Sequence, residues 1–180
     1  LDGLSGLLNQ ANTTSYTVAN GAAGSKLWRR KTADEIVADM HGIANNVVKA
    51  TLGIHRPDSM ILPLAAWNIA ATKRMGDGSN QTVLSFFLAT SPCIKNVDAS
   101  YRLDAAFSTL WGGSANTGRF MVYEKNAERL ALVLPIEFSQ QMPFIRHFVT
   151  ETACEARTGG IVAYYPGSIS YGDSITDATD

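Results

Sequence analysis

A mixed α+β fold is what this sequence predicts, and three observations carry the prediction. One capped amphipathic helix starts near residue 32, and short β-branched and aromatic runs bounded by turn residues dominate after residue 92. Apolar residues make up 46% of the chain against 17% charged, enough to build a core and to exclude disordered, coiled-coil and collagen-like classes. With 180 residues there is room for one domain, or for two small lobes sharing an interface.

Residues 1–31 are rich in Gly, Ala, Asn, Ser and Thr and read as an arm or extended loop outside the core. Thr32 and Glu35 then form a T-x-x-E capping box, in which each side chain satisfies the other's orphan backbone amide at a helix start. Ile36, Met40, Ile43 and Val47 follow one face, widened by Val37, Ala44, Val48 and Leu52, and Gly53 supplies a left-handed stop. The expectation is one long helix over residues 32–52. Residues 59–63 are apolar and closed by Pro63, which suits a brief strand feeding a helix over 64–73. Turn chemistry at 76–80 precedes a second buried helix over 81–89, ended by Pro92.

From there the character is β. Strands are expected over 93–97, 119–124 and 129–134, the last two joined as a hairpin by the turn-like residues 125–128. Residues 110–118, with Gly112, Gly113 and Gly118, read as a flexible loop. The mixed run 144–157 suits one extended strand. Gly159-Gly160 turns the chain into a strand over 161–165, and 169–171 forms a final short one.

The search for chemistry is largely negative. His41, His55 and His147 are isolated, without the spacing that puts two ligands on one helix face. Cys93 and Cys154 lack paired spacing and read as two reduced thiols. No G-x-S-x-G elbow, phosphate-binding loop or dinucleotide fingerprint occurs, so no cofactor is expected. If 144–157 is a strand, Glu151, Glu155 and Arg157 share a face; they suit a solvated surface or an intersubunit ion pair, or an acid/base site completed by His147. Trp67 and Trp111 read as core or loop anchors, and Met121 and Met142 as gap fillers. Lys26, Arg29, Arg30 and Lys31 surround Trp28 just before the helix start, where positive charge opposes the macrodipole. That points to another partner, such as the acidic face of a neighbouring subunit. With a net charge of −1 there is no basic footprint for gripping nucleic acid, and no apolar run is long enough to span a bilayer.

The order of elements resembles the tailed-phage major capsid fold, the Hong Kong 97-like family, and within it looks like a group of prophage-encoded capsid proteins. The residues carrying the likeness are Gly6-Leu7-Leu8-Asn9, Trp28, Thr32-Ala33-Asp34-Glu35-Ile36, Leu62-Pro63, Glu155-Ala156-Arg157-Thr158-Gly159-Gly160 and Tyr165-Pro166-Gly167-Ser168-Ile169-Ser170-Tyr171. The resemblance implies a remnant N-terminal arm over 1–31. It implies a peripheral lobe over 32–57 and 136–175, made of a long spine helix and a C-terminal β-ribbon, and an α/β axial lobe over 58–135 whose loop at 110–118 lies near the shell axis. Family members carry an N-terminal arm and extended loop before the spine helix; a start at Leu1 rather than Met suggests that most of that region is missing here.

The implied role is a non-enzymatic coat protein, assembling with itself as pentamers and hexamers into an icosahedral shell around DNA that it does not read by sequence. Scaffolding, portal or decoration proteins are the implied further partners, with no membrane. The implied location is the virion, after assembly in the bacterial host cytoplasm. Trp28, Arg29, Arg30, Trp111, Gly112, Gly113, Asn116, Glu151, Glu155 and Arg157 are the candidate assembly contacts. Two other readings stand beside it: an encapsulin-like compartment shell, and a small-molecule enzyme using Glu151, Glu155 and His147.

Overall fold

The computed structural model describes residues 6–76, 78–112 and 116–179. In chain order the elements are β1 (Thr14–Tyr16), α1 (Ala33–Ala50), β2 (Ser59–Pro63), α2 (Leu64–Thr72), α3 (Val83–Thr90), β3 (Asn96–Ser100) and β4 (Thr117–Tyr123). There follow β5 (Leu130–Val133), β6 (Ile136–Gln140), β7 (Phe144–Arg146), β8 (Val149–Glu151), β9 (Cys154–Arg157), β10 (Gly160–Ala163) and β11 (Ser170–Asp177). The expected α+β architecture is present.

The capping box at Thr32 forms as the sequence predicts. The Glu35 amide donates to Thr32 Oγ1 at 3.4 Å, and the Thr32 amide donates to Glu35 Oε2 at 2.8 Å. The helix ends where Leu52 and Gly53 turn left-handed (φ 53° and 84°), the Gly53 amide closing on the Val48 carbonyl. A second capping box, Thr82 with Ser85, starts α3.

Five strands make one sheet in the order β1-β11-β4-β2-β3. Beside β4, both β11 and β2 run antiparallel to it, while the outer pairs β1 with β11 and β2 with β3 are parallel. Strand alternation divides β4 cleanly: Phe120 and Val122 join the core beneath the helices, and Met121 and Tyr123 join a smaller cluster on the opposite face. The helix side packs Ile36, Met40, Ile43 and Val47 of α1 with Ala66 and Ala70 of α2 and Val83 and Phe87 of α3. The other side is covered by Leu7, Leu8 and Leu103, with Leu130 and Ala163 from the ends of β5 and β10.

Three expectations are corrected. Residues 119–134 do not form a hairpin. Because β4 is buried on both faces and hydrogen-bonded along both edges, by β2 and β11, no room remains for β5 beside it; β5 pairs with β10 instead. The run 144–157 is not one strand but three, β7, β8 and β9. His147 and Phe148 adopt positive φ (48° and 63°), forming a two-residue reverse turn flanked by the Arg146–Val149 pair. The arm is not wholly outside the core. Strand β1 pairs with β11, and Val18 and Trp28 are buried among the α1 side chains.

What replaces the single strand is a ribbon. Strands β5, β6 and β7 run outward and β8, β9 and β10 return, pairing β5–β10, β6–β9 and β7–β8 in a nested antiparallel ladder with a register shift between Ile136 and Ser139. The sheet takes β2, β3 and β4 from residues expected in the axial lobe, and β11 from residues expected in the peripheral lobe.

Candidate assembly surface

Two of the expected contact residues lie in the interior. Trp28 is fully buried; its indole N–H donates to Asp39 Oδ2 at 3.0 Å and its ring meets Phe120 edge-on at 5.6 Å. The reason is the arm's path: pairing of β1 with β11 draws residues 14–31 across the start of α1, so the tryptophan closes the core. Trp111 is 4% exposed, its indole N–H donating to the Arg102 carbonyl at 3.2 Å. It stacks under Arg119, whose guanidinium lies 4.5 Å from the Trp111 ring and 4.6 Å from that of Tyr171.

The basic patch before α1 finds partners within the chain. Lys31 is buried, with Nζ 2.5 Å from Asp39 Oδ2 and donating to the Ala19 carbonyl at 2.7 Å. Burial pushes the Asp39 carboxyl above the ordinary carboxylate range, opposed by Lys31 and by the Trp28 indole. Arg29 pairs with Asp177 at 2.8 Å, tying the 3₁₀ turn Trp28–Arg30 to the end of β11, and Thr179 and Arg29 hold the Asp177 carboxyl below its usual value. Arg30 is exposed. A role for this patch against a neighbouring acidic face is therefore not needed to explain Lys31 or Arg29.

Gly112 adopts φ 68° and caps the 3₁₀ segment Ala105–Trp111, replacing the first half of the expected flexible loop. Asn116, also left-handed, donates its amide to Ser108 Oγ at 3.1 Å. Gly113 lies outside the described residues. Arg119 is the residue that composition alone concealed. It makes a bidentate pair with Asp173 (2.6 and 3.0 Å) and donates to the carbonyls of Leu8 and Trp111, locking the arm, the 3₁₀ segment and β11 together.

Glu151, Glu155 and Arg157 are exposed on the ribbon, Glu151 in β8 opposite Phe144, and Glu155 and Arg157 in β9 opposite Ser139 and Ile136. With the turn at His147 they are strung out along extended chain at about 3.3 Å per residue, so the three groups of the enzyme reading do not converge on one enclosed space. Among the described residues no group of three or more His, Cys, Asp and Glu side chains is placed to hold a metal, and no helix is long and apolar enough to cross a membrane.

The feature the sequence reading missed is what the ribbon leaves uncovered. Phe138, Met142, Ile145 and Phe148 are exposed at 71%, 90%, 79% and 103%, and Leu132, Leu134, Phe144 and Val149 are more than half exposed. Met142 is no gap filler in a core, whereas Met121 is fully buried. Monomeric proteins rarely leave apolar side chains of this size contiguous in water, and such patches mark interaction sites. The ribbon leaves the body through a compact joint: Arg129 stacks on Tyr165 at 4.7 Å and lies 3.6 Å from Glu124, whose Oε2 is 3.2 Å from His55 Nδ1.

The architecture has solved counterparts. The capsid of Myoviridae phage XM1 matches with a TM-score of 0.76 at 16% identity, over 94% of this chain and 53% of that one. A virus-like particle from Pyrococcus furiosus matches with a TM-score of 0.60 at 10% identity, over 92% and 58%, and Mycobacterium phage Che8 with a TM-score of 0.54 at 11% identity, over 92% and 54%. This chain thus spans about half the length of the structures it resembles. No curated protein matches its sequence. A family model described as major capsid protein does match, over residues 2–175. The chain belongs to the major capsid protein family.

Proposed function

We propose that this chain is a coat subunit of a tailed phage or prophage, with a Hong Kong 97-like fold, whose copies close into an icosahedral shell enclosing DNA. The observation that carries this reading is the family match over nearly the whole chain. The geometry supports it physically. A shell subunit must fold alone yet present unfinished surfaces to several copies of itself, so that many moderate contacts close together. The body here fills its own core, while the ribbon is apolar and uncovered. A net charge of −1 suits a container that releases its DNA, because an inner wall dense in cations would hold phosphate.

Within this proposal, residues 32–57 and 136–175 are peripheral and 58–135 axial, pentamers and hexamers are the building units, and scaffolding, portal and decoration proteins are the further partners. Assembly takes place in the host cytoplasm before the subunit becomes part of the virion. Negative-stain microscopy of the purified protein across salt and concentration is expected to show rings or shells; monomers under every condition would overturn the reading. A compartment shell holding a cargo protein is the second reading, favoured by the likeness to the archaeal virus-like particle. Particles that copurify with a protein cargo and no DNA would select it.

A further inference from the structure

The uncovered apolar residues of the ribbon fall into two places of opposite shape. At the tip, Phe144, Ile145, Phe148 and Val149 surround the His147–Phe148 turn, each more than half exposed. Nearer the body the ribbon forms an open, mainly apolar groove lined by Leu134, Ile136, Phe138 and Ala156, with Glu137 and Arg157 beside them. Six residues of extended chain separate Arg157 from Glu151, about 20 Å at strand rise, so a ribbon paired throughout does not bring its own tip to its own groove.

Resting on the shell reading, we propose that the tip of one ribbon seats in the groove of the next copy, with Glu151 of the first meeting Arg157 of the second. The groove carries both signs, Arg157 opposite Ile136 with Glu137 nearby, and the proposed seating sets the Glu151 carboxylate, opposite Phe144 at the tip, against the Arg157 guanidinium. A contact between two different patches of one chain is heterologous, and a heterologous contact that closes makes a ring, as pentamers and hexamers require. The turn adds an independent observation. His147 and Phe148 both hold left-handed backbone (φ 48° and 63°), which Asn-Gly adopts without strain and a bulky aromatic does not. A fully exposed phenylalanine held in left-handed backbone at the ribbon's turn buries no side-chain surface in the monomer, and it fits an apolar groove.

The double substitution His147→Asn with Phe148→Gly separates fold from contact, because it relaxes the turn while removing the aromatic. Sedimentation velocity and electron microscopy would compare it with wild type, Glu151→Arg, Arg157→Glu and the paired reversal Glu151→Arg/Arg157→Glu. The turn variant is expected to keep the wild-type circular dichroism spectrum and to self-associate at least about tenfold more weakly. Each single reversal should weaken association, and the pair should recover most of the loss, the signature of two charges that face each other. A turn variant that assembles like wild type, or reversals that add without recovery, would overturn the contact while leaving the shell reading standing. Wild-type protein that never associates would overturn both.

Discussion

The body and the ribbon solve the same problem in opposite ways. In the body every strand of the central sheet that carries large apolar groups has something over it: β4 is covered by helices on one face and by Leu103, Tyr171 and the arm on the other. In the ribbon each strand has only its antiparallel mate, and apolar side chains stand in water on both sides of the turn. Two-stranded hairpins are marginal in water without packing against something else. The difference teaches where stability and assembly reside. The body holds the folding free energy of the monomer, and the ribbon holds apolar surface that, on the shell proposal, is buried when copies meet.

The most damaging substitutions should therefore lie in the body. Trp28→Ala removes a fully buried indole, its hydrogen bond to Asp39 and its edge-on contact with Phe120, and should cost about 3–5 kcal/mol of unfolding free energy. Gly172→Ala probes the same packing from the other side, because a Cβ there would lie 2.2 Å from Phe120 Cε1. Ring and strand must separate to admit it, so this single methyl should destabilise by about 1–3 kcal/mol or more. Urea unfolding followed by tryptophan fluorescence measures both; a loss under 1 kcal/mol for Trp28→Ala would mean that the arm does not close the core.

Next in size is Lys31→Met, which leaves the Asp39 carboxyl buried without its cation. At pH 7 the loss should be about 3 kcal/mol, as for removing one member of a buried ion pair. Its pH dependence has a definite sign. Burial already raises the folded-state pKa of Asp39, and a group shifted that way contributes stability that is present below its unfolded value and lost as pH rises through the folded one. Losing Lys31 pushes Asp39 further in the same direction, so the deficit should grow between pH 4 and pH 7. Glu35, whose pKa is lowered first by the amides of Thr32 and Ala22 and in smaller part by Lys31, loses that smaller part in the same variant, a deficit that also grows as pH rises. A deficit equal at the two pH values would show that Asp39 is not the group responding.

The same division explains what the sequence disclosed. The Thr32 capping box, the helix faces and the Ser59–Pro63 strand were legible because their signals are local: a hydroxyl three residues from a carboxylate, or an apolar stripe of fixed period. Trp28 was misplaced because burial of an arm residue depends on β1 pairing with β11 more than 150 residues later, a contact without a local signature. The ribbon was misread for a different reason. Phe138, Phe144 and Ile145 are the residues a buried strand would use, and periodicity reports apolar character without saying whether the covering surface comes from the same chain. The reverse turn at His147–Phe148 was hidden because a bulky Phe seldom accepts left-handed backbone and the pair lacks the Asn-Gly type of turn signal.

The smallest expected effect on the monomer is the sharpest test of the contrast. Phe138 and Met142 are 71% and 90% exposed, so replacing either with serine removes almost no burial from the folded chain, and the unfolded chain exposes them as well. Phe138→Ser and Met142→Ser should each change unfolding free energy by no more than about 0.5 kcal/mol, against several for Trp28→Ala, despite removing comparably large apolar side chains. In an assembled particle the same two substitutions should lower the temperature or denaturant concentration at which subunits are released, since there the side chains have a covering surface to lose. Should Phe138→Ser unfold the monomer as readily as a core substitution, the ribbon is packed on the body in solution and the two regions are one. Should it leave both monomer and particle untouched, the uncovered face is not where copies meet.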